Sequence, residues 1–176
     1  LIMLGAFGLI ARQVGDIALA FTCLVIAAAV AGFFVVNWPR GKIFLGDGGA
    51  YFLGFALAWI AVLLPERNAS VSPWSSLLIC IYPIAEVVMS FVRKSLRPGS
   101  HPSQPDAVHL HMLANRRWAK KLWPNASLTT QNGLTAPLLW LYTLLPCSAA
   151  VFFYTSFLAT LGALVVSFVF YLLMYH

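Results

Sequence analysis

Charged residues are scarce in this chain. Only 9% of its 176 residues are Asp, Glu, Lys or Arg, and only five are acidic, whereas about a quarter of the residues in a soluble domain are charged. This scarcity excludes an ordinary soluble domain. Apolar residues take their place, at 61% of the chain, so lipid is the expected solvent for most of the molecule.

Cysteine is also scarce, and no N-terminal targeting signal is recognisable. The three cysteines, Cys23, Cys80 and Cys147, stand singly inside apolar runs without C-x-x-C spacing, which indicates neither a disulfide framework nor a thiolate metal site. No positively charged segment precedes the first apolar run, so no signal peptide is predicted. The sequence is therefore expected to be a piece of a larger protein, with residues 1–176 forming a single membrane domain.

Six apolar runs predict an all-α, polytopic membrane bundle. They are too apolar all round for surface helices and lack the alternation of barrel strands. The runs are Leu1–Ala11, Ile17–Val36, Ala50–Leu64, Trp74–Val92, Leu134–Tyr154 and Phe157–Tyr175. We expect about six transmembrane helices, the first truncated, with a large loop at residues 93–133 between the fourth and the fifth.

The basic residues predict the orientation of this bundle. Nine of the eleven Lys and Arg residues lie in Asn37–Gly49 and Arg93–Gly133, and the short links on the opposite side hold the other two. The positive-inside rule places both segments in the cytoplasm. Because the charge is confined to these links, it indicates topology rather than nucleic-acid binding, which we do not expect.

A glycine-bearing turn precedes the third predicted helix. Asp47 stands at the helix N-terminus among Gly46, Gly48 and Gly49. Asp47 could cap the helix, or the glycines could let backbone N–H groups approach a phosphate while Asp47 binds Mg²⁺. Lys42 adds positive charge at the same mouth. The residues alone leave both alternatives open.

Two histidines mark the large loop. His109 and His111 are two residues apart, which in an extended segment puts both imidazoles on one side. That arrangement suits a diphosphate or a zinc ion, for which only His101 and Asp106 are nearby as further ligands. Two solvated side chains are the alternative.

Glu86 is an acid inside the fourth apolar run, where an unpartnered charge is costly. It shares a helical face with Tyr82, Ser90 and Arg93, and we expect it to support the site from inside the bundle through an interhelical hydrogen bond. The same stripe could instead belong to a proton- or ion-coupled transporter or channel module. The basic, Trp-bearing stretch Asn115–Trp123 indicates an interfacial segment on anionic lipid.

Two motifs together resemble the polyprenyl-phosphate N-acetylhexosamine-1-phosphate transferases. They are KIFLGDGGAYFLG at 42–54 and PDAVHLHML at 105–113. This family includes the undecaprenyl-phosphate GlcNAc-1-phosphate and phospho-MurNAc-pentapeptide transferases, and the resemblance extends over most of the chain. Ala50, Ala107 and Met112 depart from the family pattern, which often has Ser, Arg and a third His there, so the sugar stays open.

The resemblance implies transfer of a sugar 1-phosphate from a UDP-N-acetylhexosamine to undecaprenyl phosphate at the bacterial inner membrane, releasing UMP, in cell-envelope polysaccharide synthesis. It implies Asp47 as a ligand of Mg²⁺, with Mn²⁺ as the alternative, and His109 and His111 as catalytic residues. The implied substrate-binding residues are Asn37, Lys42, Gly46, Gly48 and Asp106. A homodimer is an open alternative. The resemblance also implies that this chain is the C-terminal part of a larger polytopic enzyme. The family's paired aspartates are expected upstream of Leu1, so this chain alone is expected to be inactive.

Overall fold

The computed structural model describes residues 1–96 and 108–175, and this part of the chain is all-helical, without strands. The helices are α1 (Ile2–Gln13), α2 (Ile17–Asn37), α3 (Gly46–Arg67), α4 (Pro73–Ile79), α5 (Ile81–Ser95), α6 (Leu110–Ala114), α7 (Lys120–Leu122), α8 (Leu128–Phe153) and α9 (Phe157–Tyr175). A π-helical turn, Asn115–Ala119, joins α6 to α7.

Four of these helices, α2, α3, α8 and α9, are long and apolar enough to cross a membrane. The pair α4 and α5 passes the same test as one broken span, bent by 73°, and α1 is a shorter apolar helix. At a rise of about 1.5 Å per residue, the 21 residues of α2 reach about 30 Å, the thickness of a hydrocarbon core. The predicted polytopic bundle is confirmed, with four or five spans and a short first helix.

The prediction of one unbroken helix over Trp74–Val92 is wrong, and Pro83 supplies the physical reason. Proline has no N–H to donate to the carbonyl four residues earlier, and its ring clashes with that carbonyl. Helix α4 accordingly ends at Ile79, and α5 begins at Ile81. The Ile79 carbonyl accepts instead from Cys147 Sγ of α8, at 3.8 Å.

Two apolar cores hold the helices together. The larger core joins α1, α2, α3, α4 and α8, and its fully buried side chains include Phe7 and Ile10 of α1. The smaller core brings Ala85 of α5, Leu110 of α6 and Tyr171 of α9 together with α8. Residues 108–114, which carry His109 and His111, are called the histidine segment. Leu110 of this segment belongs to the second core, which therefore supports it.

The links lie at two ends of the bundle, as the alternation of charge predicts. At one end, Asp16 Oδ1 accepts from the Leu19 N–H at 3.1 Å and from Arg67 at 3.0 Å, joining the start of α2 to the end of α3. At the other end, Trp38 Nε1 donates to the carbonyl of Gly133 at 3.1 Å. We refer to these as the Asp16 end and the Trp38 end.

Candidate functional site

The turn between α2 and α3 is folded around Asn37. Asn37 Oδ1 accepts from the Ile43 N–H at 3.2 Å, and the Asn37 carbonyl accepts from the Gly41 N–H at 2.6 Å. Gly46 has φ +69°, in the left-handed region that favours glycine. Asn37 thus shapes the turn that presents Asp47, while its contact with a substrate stays a prediction.

A close contact with α8 fixes this turn in place. Pro137 has no N–H for the Gly133 carbonyl four residues earlier, and that carbonyl accepts from Trp38 Nε1. Pro39, joined to Trp38 by a cis peptide bond, approaches Gly133 so closely that a Cβ atom there would lie 2.5 Å from the Pro39 oxygen. We call Trp38, Pro39, Gly133 and Pro137 the Trp38 dock.

Aromatic rings complete the Trp38 dock. The Trp38 ring stacks on Phe34 of α2, with 5.6 Å between centroids and an interplanar angle of 6°. It also contacts Trp140 of α8, with centroids 5.3 Å apart. Large aromatic contacts of this kind contribute about 0.5–1.5 kcal/mol each beyond their area burial. The turn before Asp47 is therefore held by rings as well as by a hydrogen bond.

Asp47 is exposed in the first turn of α3. The N-cap position belongs to Leu45, without a side-chain cap hydrogen bond, so the alternative that Asp47 is the capping residue is wrong. The helix dipole nevertheless favours a carboxylate there. Lys42 and Gly48 are also exposed in this turn.

Asp47 fits Mg²⁺ as a single ligand. Within residues 1–96 and 108–175, no three His, Cys, Asp or Glu side chains come together to hold a metal ion. Mg²⁺ commonly keeps several waters and takes one or two carboxylates together with substrate phosphates. One exposed carboxylate beside a glycine-bearing helix start meets that requirement in part. The further zinc ligands considered from the sequence, His101 and Asp106, lie outside the described residues.

The histidine segment is anchored by one carboxylate. Glu86 Oε2 lies 2.9 Å from His109 Nδ1, and Glu86 Oε1 accepts from the Leu110 N–H, also at 2.9 Å. The side chains of Glu86 and His109 are 13% and 31% exposed, so the pair is shielded from solvent. The predicted hydrogen bond from Glu86 to a neighbouring element is confirmed.

The imidazoles of His109 and His111 lie side by side. Their rings are nearly parallel, at 9°, with centroids 5.7 Å apart, so both lie on one side of the segment. The extended conformation on which that prediction rested is found only at His109, because His111 lies in the first turn of α6. Partial desolvation lowers the pKa of His111 below its ordinary value, and the nearby His109 adds to this, while Glu86 acts in the opposite direction. His111 is therefore biased towards its neutral form.

The end of α9 holds the histidine segment from behind. Tyr175 donates its hydroxyl to the Val108 carbonyl at 3.3 Å, and the Arg93 guanidinium lies over the Tyr175 ring, 5.6 Å from its centroid. Arg117 donates to the carbonyls of Met174 and Tyr175 at 3.2 and 3.1 Å. A cation is favoured at a helix C-terminus, so Arg117 also stabilises α9.

A cavity of about 590 Å³ opens beside His111. The residues that line it come from the histidine segment, from the helical turns that follow it and from α8: His111, Met112, Asn115, Arg116, Lys120, Asn132, Thr135, Ala136 and Leu139. Because His111 is biased towards its neutral form, the fixed positive charge of the cavity comes from Arg116 and Lys120. Sequence reasoning assigned these two cations to a lipid surface and missed the cavity, although their four-residue spacing puts them on one helical face.

The structure brings His109, His111 and Glu86 together, but it gives Asp47 a separate position. Asn37, Lys42 and Asp47 are not among the residues that line the cavity. Both groups nevertheless rest on α8 at the Trp38 end. The cavity uses Asn132, Thr135, Ala136 and Leu139, spaced as one helical face, and the Trp38 dock uses Gly133 on the adjacent face.

The helices and links described above define a multi-pass helical membrane protein with a polar site at one end. Comparison with known proteins indicates its relatives. Residues 1–65, which include the Asp47 turn, match the family described as glycosyl transferase family 4. No solved structure gives a significant match.

Three similar curated proteins carry the name undecaprenyl-phosphate alpha-N-acetylglucosaminyl 1-phosphate transferase. The protein from Yersinia pestis is 32% identical over 117 residues, which are 64% of this chain and 32% of the relative. That from Salmonella typhi is 33% identical over 116 residues, 63% of this chain and 31% of the relative. The protein from Escherichia coli K12 is 32% identical over 116 residues, which are 63% of this chain and 31% of the relative.

These matches confirm the resemblance drawn from the sequence: the chain is similar to glycosyl transferase family 4 over residues 1–65 and to the named transferases over 63–64% of its length. The matched segment spans about a third of the length of these relatives.

Proposed function

We propose that this chain is part of a membrane phosphotransferase that moves a sugar 1-phosphate from a UDP-sugar to undecaprenyl phosphate, releasing UMP and leaving a lipid diphosphate sugar. The names of the relatives support the undecaprenyl phosphate acceptor. The observation that carries the proposal is that α8 holds the Asp47 turn and the cationic cavity on adjacent faces at one end. The proposed setting is the bacterial inner membrane, with this end in the cytoplasm.

Phosphoryl transfer depends mainly on positioning anions and stabilising their charge. Arg116 and Lys120 line a cavity large enough for a nucleotide-sized group, and their charge would attract its phosphates. His109 and His111 would orient a phosphate at its edge. The role of Asp106 as a substrate-binding residue belongs to the same proposal.

Asp47 would hold Mg²⁺, or Mn²⁺ in its place, as one ligand among waters and phosphates. Bound there, the ion would supply positive charge that stabilises the pyrophosphate of the donor. The glycines at 46 and 48 leave the backbone at the start of α3 open to close approach by an anion. Asn37 and Lys42 would act on the same turn, the first by shaping it and the second by its charge.

The transporter alternative rested on Glu86 as an acid within a span. Glu86 is hydrogen-bonded to His109 and Leu110 of the histidine segment, and α8 and α9 contain no charged residue. The charge of Glu86 is thus directed to the site at the Trp38 end, which favours the transferase.

The test is UMP release by the full-length protein carrying Asp47→Asn. We expect the rate to fall by about 100-fold or more, because removal of one preorganised electrostatic contribution costs about 10²–10³ in rate. Glu66→Gln is the matched control, an exposed carboxylate at the other end of the same helix, and it should leave the rate unchanged. A wild-type rate for Asp47→Asn would refute the metal role.

A further inference from the structure

Glu86 makes two hydrogen bonds to consecutive residues of the histidine segment. One oxygen meets the His109 ring at Nδ1 and the other meets the Leu110 N–H, each at 2.9 Å. His109 has an extended backbone and occupies the N-cap position of α6, so both bonds fall where the chain turns into the helix. Glu86 therefore fixes the ring and the backbone of this segment together.

The donors and acceptors of this pair determine where the His109 proton lies. A backbone N–H can only donate, and an ionised carboxylate can only accept. The Leu110 bond therefore uses one carboxylate oxygen as an acceptor. A neutral imidazole carries its proton on one ring nitrogen, and a bond from Nδ1 to the second oxygen requires that proton on Nδ1.

Because Glu86 engages Nδ1, Nε2 is the His109 ring nitrogen that remains for another partner. His109 borders a small cavity of about 240 Å³ that Glu86, Val87, Ser90 and Phe91 also line, and its ring lies parallel to that of His111 beside the larger cavity. With the proton on Nδ1, Nε2 can only accept. A fixed ring therefore meets the O–H of a singly protonated phosphate in one orientation, which is how carboxylates orient histidines in other sites.

We propose that Glu86 is the positioning residue of His109: its carboxylate imposes the Nδ1–H tautomer and anchors the start of α6, so that the Nε2 lone pair is presented as an acceptor to a proton donor of the substrate, such as the O–H of a singly protonated phosphate. The effect on turnover rests on the proposed function, whereas the tautomer is a property of the chain itself. Glu86 need not touch substrate, because its action passes through the His109 ring.

Glu86→Gln gives a discriminating variant. Glutamine has nearly the same shape as glutamate but offers one oxygen acceptor and one NH₂ donor. If the oxygen retains the Leu110 N–H, the NH₂ group faces Nδ1, which must then lose its proton and accept. We expect His109 to change from the Nδ1–H to the Nε2–H tautomer. Glu86→Asp retains two acceptors and should retain the Nδ1–H tautomer.

The measurement is ¹⁵N and ¹³C NMR of histidine-labelled full-length protein in lipid nanodiscs at alkaline pH, with the His109 signals assigned by their loss in His109→Gln. The proposal expects Nδ1–H in the wild type and in Glu86→Asp, and Nε2–H in Glu86→Gln. An Nε2–H tautomer in the wild type, or the same tautomer in all three proteins, would overturn it.

A double-mutant cycle tests whether Glu86 acts through His109. Substitutions of groups that orient a functional histidine typically cost about 10–100-fold, and we expect kcat for UMP release to fall by that factor in Glu86→Gln and to recover largely in Glu86→Asp. In a His109→Ala background, Glu86→Gln should add about twofold or less. Equal losses in both backgrounds would overturn the proposal.

The two hypotheses fail separately. Absence of UMP release from the wild-type protein would refute the proposed function but would leave the tautomer measurement standing. Retained UMP release with an unchanged tautomer in Glu86→Gln would refute the role of Glu86 alone.

Discussion

Gly133→Ala should displace the turn that carries Asp47. A Cβ atom at this position would lie 2.5 Å from the Pro39 oxygen and 3.2 Å from Pro39 Cβ. Ordinary contact begins at about 3.4 Å, so the backbone of Pro39 must move by about 0.9 Å. Because the obstructing atom belongs to the backbone, a side-chain rotation cannot relieve the clash. The Trp38 bond to the Gly133 carbonyl lies at the same point and should lengthen with it.

Two opposing terms set the size of the effect. Alanine is better than glycine in a helix by about 1 kcal/mol, whereas overpacking of a close contact costs about 1–3 kcal/mol. A Cβ atom added at Gly162 of α9 would meet none of the described residues within 4 Å, so Gly162→Ala keeps the first term and lacks the second. The two variants should differ in stability by about 1–3 kcal/mol, with Gly133→Ala the less stable.

The effect on activity should exceed the effect on stability. A displacement of about 1 Å in a positioning element can cost about 10²-fold in rate, and the displaced turn leads directly to Asp47. We therefore expect Gly133→Ala to lower UMP release at least about tenfold in the full-length protein, with Gly162→Ala at the wild-type rate. Thermal unfolding in detergent and UMP release are the two measurements. Equal unfolding temperatures and equal rates in both variants would refute the close approach of Pro39 to α8.

Two further predictions concern the Asp16 end and the cavity. Asp16→Ala should destabilise the fold by about 1–2 kcal/mol in thermal unfolding, because it removes the N-cap of α2. Asp16→Asn should lose less, because asparagine can still cap the helix and the ion pair that it removes, with the half-exposed Arg67, contributes little. Equal losses would contradict the capping argument. Because the pKa of His111 is lowered by folding, the folded chain binds fewer protons than the unfolded chain between that pKa and about 6.5. Stability should therefore fall as pH falls through this window, and His111→Asn should flatten that slope; an unchanged slope would contradict it.

Much of the fold could be predicted because lipid leaves few choices. Long apolar runs must become helices when no water is present to satisfy the backbone, and the uneven distribution of Lys and Arg assigned the links to two ends. The break at Cys80 was not predicted, although its cause is local. Pro83 stands four residues after Ile79, and a proline inside a predicted span marks the carbonyl that loses its donor.

The candidate site was predicted in part. The sequence singled out His109 and His111 as a pair in the large loop and Glu86 as an acid inside an apolar run. The structure brings these three residues together. The cavity beside Arg116 was missed, because its other wall is formed by α8, about twenty residues further along the chain. Contacts over such separations depend on helix packing, which the local pattern around each motif does not contain.

Pro83 and Pro137 together explain why α8 contacts both halves of the site. Pro83 and Pro137 each deprive a carbonyl of its donor inside an apolar helix, and an unsatisfied carbonyl is costly in lipid. Each carbonyl is satisfied from another element: Ile79 by Cys147 Sγ, and Gly133 by Trp38 Nε1. The first contact joins α8 to the break from which α5 carries Glu86, and the second joins α8 to the turn that carries Asp47. The two prolines thus leave free the carbonyl acceptors that tie both halves of the site to α8.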